Sequence, residues 1–152
     1  MSKVIEYTYQ LYNNPFVLTQ LLLSFYKNYQ RKENDILLAY LILPLVLYPQ
    51  SRDSIVNANI RSSILKISEN KNCISGLANR VAEYKQITNL CIQQAIDNKL
   101  IELRNMSVVV INNVCNTDPE LNKSIKAASN LVKVFGSLDV VTIYRLLGIK
   151  EL

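Results

Sequence analysis

The side chains that most often carry chemistry are scarce in this chain of 152 residues. It contains no histidine, so the commonest general base near neutral pH and the commonest metal ligand are both missing. Its three glycines, Gly76, Gly136 and Gly148, stand far apart, whereas loops that cradle phosphates need them close together. The sequence therefore excludes Ser-His-Asp and Cys-His catalysis, histidine-containing zinc sites and the familiar nucleotide-binding loops.

Acidic and hydroxyl side chains offer little more. Two carboxylate pairs fall in predicted loops or helix starts, where capping and solubility explain them: Glu33 with Asp35, and Asp118 with Glu120. Ser54, Ser62 and Ser63 have no histidine partner, and Lys66 is only near them in sequence. We therefore expect no catalytic residue, metal, cofactor or small-molecule substrate, which leaves a small histidine-free enzyme as the poorest of three hypotheses.

The cysteines Cys73, Cys91 and Cys115 are odd in number, far apart and without C-x-x-C spacing. This pattern predicts reduced thiols that act as small buried hydrophobic residues. The first residues, MSKVIEYTYQLY, show neither the apolar core of a signal peptide nor a cleavage site, so we expect a cytoplasmic protein. The net charge of +5 and the pI near 9.1 permit an acidic partner but do not require one.

The composition, with 49% hydrophobic and 19% charged residues, predicts a single globular domain over residues 1–152. Period-two alternation at its start predicts an N-terminal arm or short edge strand over residues 1–13. Helical spacing of apolar residues then predicts a mainly α fold. The predicted helices span residues 15–30, 36 to a bend or end near Pro44–Pro49, 58–69, 75–84, 86–98, 119–135 and 138–147.

One segment, Ile36 to Tyr48, has thirteen apolar residues without a charge. A helix that crosses a membrane needs about twenty such residues, and Asp35 and Arg52 limit this segment on its two sides. We therefore expect a core helix that is buried on every side, and no membrane partner.

The order of elements predicted for residues 75–112 is that of a winged helix-turn-helix. A short helix, a turn near Lys85-Gln86, a second helix and a hairpin over residues 101–111 follow one another. Asn105-Met106 occupies the predicted hairpin turn, between the runs LIELR and SVVVIN. Such a unit is compatible with two functions, which are docking on a protein and reading DNA.

A winged-helix DNA-binding regulator is the alternative function that this unit suggests. Its possible DNA-contacting residues are Lys85, Asn89, Gln93, Lys99 and Arg104. No arginine lies inside the second helix, and the other basic residues are spread along the whole chain. Because phosphate contacts dominate non-specific DNA affinity, this spread favours a protein-docking surface over direct DNA binding.

Nine tyrosines and no tryptophan are a further indication of a protein partner. Tyr7, Tyr9 and Tyr12 cluster in the arm, and Tyr26 and Tyr29 follow on the first helix. Tyrosine suits interfaces because its ring is large and fairly rigid and its hydroxyl is polar. The alternative is that these rings pack at the edge of the core with their hydroxyls in water.

Three longer stretches of the sequence carry motifs that can be compared with known families. NPFVLTQLLLSFYKNY (Asn14–Tyr29) has an Asn-Pro start followed by an apolar helix. LILPLVLYPQSRDSI (Leu41–Ile55) contains a Leu-Pro-x-x-Leu and Arg pattern. Phe135 and VVTIYRLLGIK (Val140–Lys150) form a closing helix with a Leu-Gly motif. In these motifs, and from about residue 9 to residue 150, the chain resembles the middle components of bacterial three-component ABC systems.

The resemblance implies a small accessory subunit encoded between an SMC- or Rad50-like ABC ATPase and a further component. It also implies a role in systems linked to defence against phage and plasmids, including Lamassu-type ones. The ATPase would supply the nucleotide chemistry, and the chain would be a non-enzymatic adaptor that helps to gather an effector subunit. The partner-binding residues expected on this hypothesis are Tyr7, Tyr9, Tyr12, Asn14, Pro15 and Arg52. Association with DNA would then be indirect, through the complex.

Overall fold

Helices form most of the described chain, which covers residue 3 and residues 13–59, 61–112 and 118–152 of a computed structural model. The predicted fold class, mainly α with one β-hairpin, is confirmed. In chain order the helices are α1 (Pro15–Tyr26), α2 (Ala39–Val46), α3 (Pro49–Val56), α4 (Ile64–Ser68), α5 (Lys71–Ile74), α6 (Leu77–Asp97), α7 (Asn122–Phe135) and α8 (Val140–Leu146). Two 3-10 turns, Asp35–Leu38 and Pro119–Leu121, lead into α2 and α7, and strand β1 (Ile101–Arg104) pairs with β2 (Ser107–Val110).

Helix α1 begins where the sequence predicts. The side chain of Asn14 caps it by accepting a hydrogen bond of 3.0 Å from a backbone N–H two residues on, and Pro15 is its first residue. Proline is tolerated there because the N–H that it lacks would have no partner within the helix. The helix ends at Tyr26, earlier than predicted, because the side-chain amide of Asn28 donates to the Ser24 carbonyl at 2.9 Å and competes with the backbone.

The apolar segment forms the centre of the core, as predicted. It begins as the 3-10 turn and continues as α2, in which these residues are fully buried: Ala39, Leu41, Ile42, Leu43, Leu45 and Val46. Helix α2 packs against α1, α3, α6 and α7, so apolar side chains are needed on every side of it. It ends at Val46, within the predicted range, and Pro49 begins α3. None of the described helices is both long and apolar enough to cross a membrane.

The predicted helix over residues 58–69 is mostly wrong. Of the described residues in that range, only Ile64–Ser68 (α4) are helical. The side chain of Asn59 accepts a hydrogen bond from the Arg61 N–H at 2.9 Å, and the Ser62 hydroxyl accepts one from the Asn59 N–H at 2.9 Å. Such bonds between short polar side chains and nearby backbone compete with the helical pattern, so the helix starts later.

Helix α6 corrects the predicted winged helix-turn-helix. The turn predicted near Lys85-Gln86 is wrong, because residues 77–97 form one continuous helix. Neither glycine nor proline occurs between Leu77 and Asp97, so nothing in the sequence interrupts the backbone. The two predicted apolar stripes join into one buried stripe: Leu77, Val81, Thr88, Cys91 and Ala95. What remains of the predicted unit is a long helix followed by a hairpin.

The hairpin forms with the predicted turn. Arg104 pairs with Ser107, which leaves Asn105 and Met106 as the two turn residues. Both have positive φ, 51° and 64°, and a two-residue turn of this kind matches the twist of the strands. Asparagine tolerates this backbone conformation better than most residues, so the turn forms without glycine.

The hairpin is fixed to the segment between α1 and α2. The buried carboxylate of Asp35 accepts hydrogen bonds from the backbone N–H groups of Val108, at 2.8 Å, and Lys32, at 2.9 Å. The Ile36 N–H donates to the Met106 carbonyl at 3.0 Å. The hairpin is therefore held by this segment and does not project freely from the end of α6.

The two C-terminal helices lie within their predicted ranges. Asp118 caps the turn before α7, and Asp139 caps α8 by accepting a hydrogen bond from a backbone N–H at 2.9 Å. Gly136 ends α7 with a φ of 54°, a conformation that glycine adopts without strain. The rings of Phe25 and Phe135 meet edge to face at 5.8 Å, which ties α7 to α1.

Candidate partner-binding site

The three tyrosines predicted to bind a partner lie outside the described residues. Tyr7, Tyr9 and Tyr12 belong to the predicted arm, and the described chain resumes at Asn13. Asn13 lines a cavity of about 380 Å³ beside Leu90 and other residues in the middle of α6. The arm therefore joins the described structure next to an exposed part of this helix.

Asn14 and Pro15 form the start of α1, close to α6. The carbonyl of Pro15 accepts a hydrogen bond from the Thr19 hydroxyl at 2.6 Å and lies 3.7 Å from the Cys91 sulfur. Asn14 and Pro15 are expected to bind a partner, but a structural role explains them as well. They start α1 and hold it against α6. The sequence predicts this structural role equally well.

Arg52 lies in another part of the molecule, on α3. Its side chain is 19% exposed, and its Nε lies 3.4 Å from Oδ1 of Asp53. The same carboxylate oxygen lies 2.8 Å from Nζ of Lys123 on α7, and that hydrogen bond lowers the pKa of Asp53 below its usual value. No hydrogen bond or ion pair within the described ranges joins Arg52 to Asn14 or Pro15, so the motif residues do not form one cluster.

The first three predicted DNA-contacting residues share one exposed face of α6, where Lys85, Asn89 and Gln93 follow at intervals of four. Two of these side chains already bind other residues. Asn89 accepts a hydrogen bond from the Tyr40 hydroxyl at 2.6 Å, and Gln93 donates to Asp97 at 2.8 Å. This face therefore offers fewer groups to DNA than the sequence suggests.

The other two predicted DNA contacts lie at the hairpin. Lys99 is exposed between α6 and β1, with a positive φ of 57°. Arg104 is exposed at the end of β1 and forms an ion pair with Glu102 on the same strand. The hairpin and the residues before it therefore offer little charge to DNA, since one of these two basic residues is already paired.

Two of the hydroxyls considered for catalysis, those of Ser54 and Ser62, take part in structural hydrogen bonds. Ser54 donates to the Gln50 carbonyl at 3.3 Å, and the Ser62 hydroxyl oxygen is held by the turn before α4. Both line a cavity of about 270 Å³ with Lys66, whose backbone N–H donates to the Ser63 carbonyl at 3.1 Å. No hydrogen bond joins the Lys66 ammonium group to a serine hydroxyl in the described part of the chain. Nothing in this arrangement activates a hydroxyl as a nucleophile.

The described cysteines are buried thiols, as predicted, whereas Cys115 lies outside the described residues. Burial raises the pKa of Cys91 to about 11, which keeps it protonated and unreactive at neutral pH. No group of three or more acidic or cysteine side chains within the described ranges could hold a metal ion.

Comparison with known families identifies the kind of protein to which these surfaces belong. The family model for the ABC-three component system Middle Component 3 matches residues 2–151. The chain belongs to this family. No curated protein and no solved structure matches it. As a middle component of a multi-component system, it has protein partners, and its exposed surfaces are candidates for binding them.

Two structural residues of this middle component were missed by sequence reasoning. The sequence pattern explains Asp35 by capping or solubility alone, and it indicates no role for Arg80. The Arg80 guanidinium stacks on the ring of Tyr48, 3.7 Å from its centroid, and donates to the carbonyls of Pro44 at 3.3 Å and Cys73 at 3.1 Å. Its position three residues after the buried Leu77 was the available signal, because it places an arginine at the edge of the apolar stripe of α6.

Proposed function

We propose that this middle component is a non-catalytic adaptor that binds the SMC- or Rad50-like ABC ATPase of its three-component system in the cytoplasm. The observation that carries the proposal is the family match over residues 2–151. The described residues support it, since Ser54 and Ser62 take part in structural hydrogen bonds and the Cys91 thiol is buried. The ATPase supplies nucleotide hydrolysis, and the adaptor brings it together with an effector subunit during defence against phage or plasmids.

The N-terminal arm is the proposed dock for the ATPase. Tyr7, Tyr9 and Tyr12 supply large amphipathic rings of the kind that concentrate interface energy. The start of α1 at Asn14 and Pro15 fixes the point from which the arm leaves the described structure. The alternation of apolar and polar residues along the arm would also suit pairing with the sheet edge of a partner.

Co-expression with the companion components tests the adaptor function. We expect the chain to co-purify with the ABC ATPase through size-exclusion chromatography, and the isolated chain to neither bind nor hydrolyse ATP. Saturable ATP turnover that follows the peak of the isolated chain would contradict the non-catalytic role. A chain that binds neither companion component at micromolar concentrations would contradict the adaptor role.

A DNA-binding regulator is the second candidate function. The feature that favours it is the long helix α6 followed directly by a hairpin, with Lys85, Asn89 and Gln93 on one exposed face. Against it stand the internal hydrogen bonds of Asn89 and Gln93. The adaptor is therefore the better supported of the two functions.

A further inference from the structure

Two adjoining cavities form a cleft between the start of α4 and the C-terminal end of α7. One has a volume of about 270 Å³ and is lined by polar and apolar side chains alike, and the other has a volume of about 460 Å³ and is lined mainly by apolar ones. They share Ser62, Ser63 and Val134, so they are two parts of one cleft. We call this surface the basic cleft, because the charged side chains that line it are Lys66 and Lys133.

All of the charged side chains that line the basic cleft are positive. Among the described residues that line it, none is acidic, and neither lysine takes part in an ion pair within those residues. Lys133 donates to the side-chain oxygen of Asn130 at 3.3 Å, a neutral partner that leaves its charge uncompensated. By contrast, the cavity beside α6 contains Glu83, and the one beside α8 contains Glu151.

The larger part of the cleft offers apolar surface beside these charges. Leu65 is 47% exposed on α4, and Phe135, Leu138 and Leu146 line the same cavity. A volume of about 460 Å³ lies within the range of cavities that hold ligands. Apolar surface with positive charge at one side complements a side chain that is apolar and lies next to a carboxylate.

We propose that the basic cleft docks a segment of a companion protein that carries an apolar anchor residue flanked by acidic residues. The proposal rests on the proposed adaptor function and names a second docking surface in addition to the arm. A protein segment fits better than nucleic acid, because a phosphate backbone gains little from an apolar groove and needs a longer track of cations. Interfaces also gain much of their energy from single apolar anchors in pockets.

The test measures binding of the full chain to the purified ABC ATPase and, separately, to the third component of the system. The cleft variants are the double variant Lys66→Glu/Lys133→Glu and the single variant Leu65→Ser. Lys85→Glu is the charge control, and Val141→Ser is the apolar control, because Val141 is 64% exposed and lies outside the cleft. We expect each cleft variant to weaken binding to one component about tenfold or more, with the controls within about twofold.

Thermal melts accompany each binding measurement. If the double variant melts early, the single variant Lys66→Gln replaces it, because this exposed position tolerates a neutral side chain. We then expect a several-fold loss of affinity, and a larger loss at low salt, where charges are screened less. Unchanged affinity of folded cleft variants, beside a wild-type chain that binds, would overturn the cleft and leave the adaptor function standing. Cleft substitutions that abolish only binding of a random DNA duplex, or only self-association, would also overturn it. A wild-type chain that binds neither component would overturn both proposals.

Discussion

Oδ1 of Asp35 accepts a hydrogen bond of 2.8 Å from the backbone N–H of Val108, which lies on the second strand of the hairpin. The carboxylate is fully buried, and Oδ2 accepts a second backbone hydrogen bond, from Lys32. One side chain thus joins the segment after α1 to the hairpin, and the position of the hairpin depends on it.

Replacing Asp35 with alanine should lower the free energy of unfolding by about 2–4 kcal/mol, because two buried N–H groups lose their acceptors. Urea denaturation measures this loss, and hydrogen exchange at Val108 should become faster in the variant. Glu33→Ala is the matched control, since Glu33 is exposed, and it should change stability by less than about 0.5 kcal/mol. Equal effects of the two substitutions would contradict the structural role of Asp35.

Arg80→Lys should destabilise the protein by about 1–2 kcal/mol even though it keeps the charge. An ammonium group cannot stack flat on Tyr48 while it donates to the carbonyls of Pro44 and Cys73. Differential scanning fluorimetry and urea melts give the change in stability. Lys85→Arg, the reverse exchange at an exposed site of the same helix, should leave the melting temperature unchanged. A fully stable Arg80→Lys variant would show that the guanidinium geometry is dispensable.

Tyr29→Phe should leave stability at pH 7 unchanged or raise it by up to about 1 kcal/mol. Within the described residues the buried Tyr29 hydroxyl has no hydrogen-bond partner, and its ring stacks on Phe25 at 4.9 Å, a contact that phenylalanine keeps. Tyr26→Phe makes the same change where the hydroxyl donates to the Asp35 carbonyl at 2.7 Å, and it should cost about 1 kcal/mol. A larger loss at Tyr29 than at Tyr26 would contradict this assignment.

The Tyr29→Phe variant also gives a prediction for stability at alkaline pH. Burial raises the pKa of Tyr29 to about 12, whereas an unfolded tyrosine ionises near about 10. Between these values the unfolded state releases its proton first, so the stability of the wild-type protein should fall as the pH rises above about 10. Tyr29→Phe should make this fall shallower, and urea melts at several pH values measure the slope. An identical slope in the variant would show that Tyr29 does not contribute.

Replacing both Tyr7 and Tyr9 with alanine should weaken binding to the ATPase by roughly 1–4 kcal/mol and leave the melting temperature nearly unchanged. Isothermal titration and thermal melts of the double variant test the two halves of this expectation. Val141→Ala, which removes apolar surface from a side chain that is 64% exposed, serves as control. If the double variant melts early, the rings belong to the core. If it keeps both its melting temperature and its partner, the arm is not the dock.

The isolated chain should bind duplex DNA weakly at most, and this binding should fade between low and physiological salt. A mobility-shift series over salt concentration and competitor sequence measures both affinity and specificity. Lys85→Glu should reduce any residual binding, because that lysine is the charged residue on the exposed face of α6 considered for DNA. A tight shift with a preference of about 10³ or more for one sequence would favour the regulator over the adaptor.

Local sequence patterns predicted the features whose causes are local. Asn14, Pro15 and Asp118 mark helix starts through side-chain caps and proline geometry, and these operate within a few residues. The hairpin turn at Asn105-Met106 is of the same kind. The pattern gave a wrong prediction at α6, because the apolar stripe rotates slightly around the helix and this rotation was interpreted as a turn. A helix that contacts several elements needs a wide apolar stripe, which produces the same rotation.

Local sequence patterns could not predict the residues that join segments far apart in the chain. Nothing near Asp35 in sequence indicates that its acceptor capacity serves a strand at Val108. The basic cleft is similar, because Lys66 and Lys133 are far apart in sequence and line adjoining cavities only in the folded chain. Charge counts along the chain show spread-out lysines, and only the fold shows which of them lack an acidic neighbour.

The continuity of α6 sets a fixed length within this middle component. A helix of 21 residues is about 30 Å long, and an unbroken backbone resists bending. One end is clamped by Arg80 to the carbonyls of Pro44 and Cys73, and the other end leads into the anchored hairpin. The helix therefore acts as a rigid spacer, and proteins bound near its two ends would be kept at a constant separation.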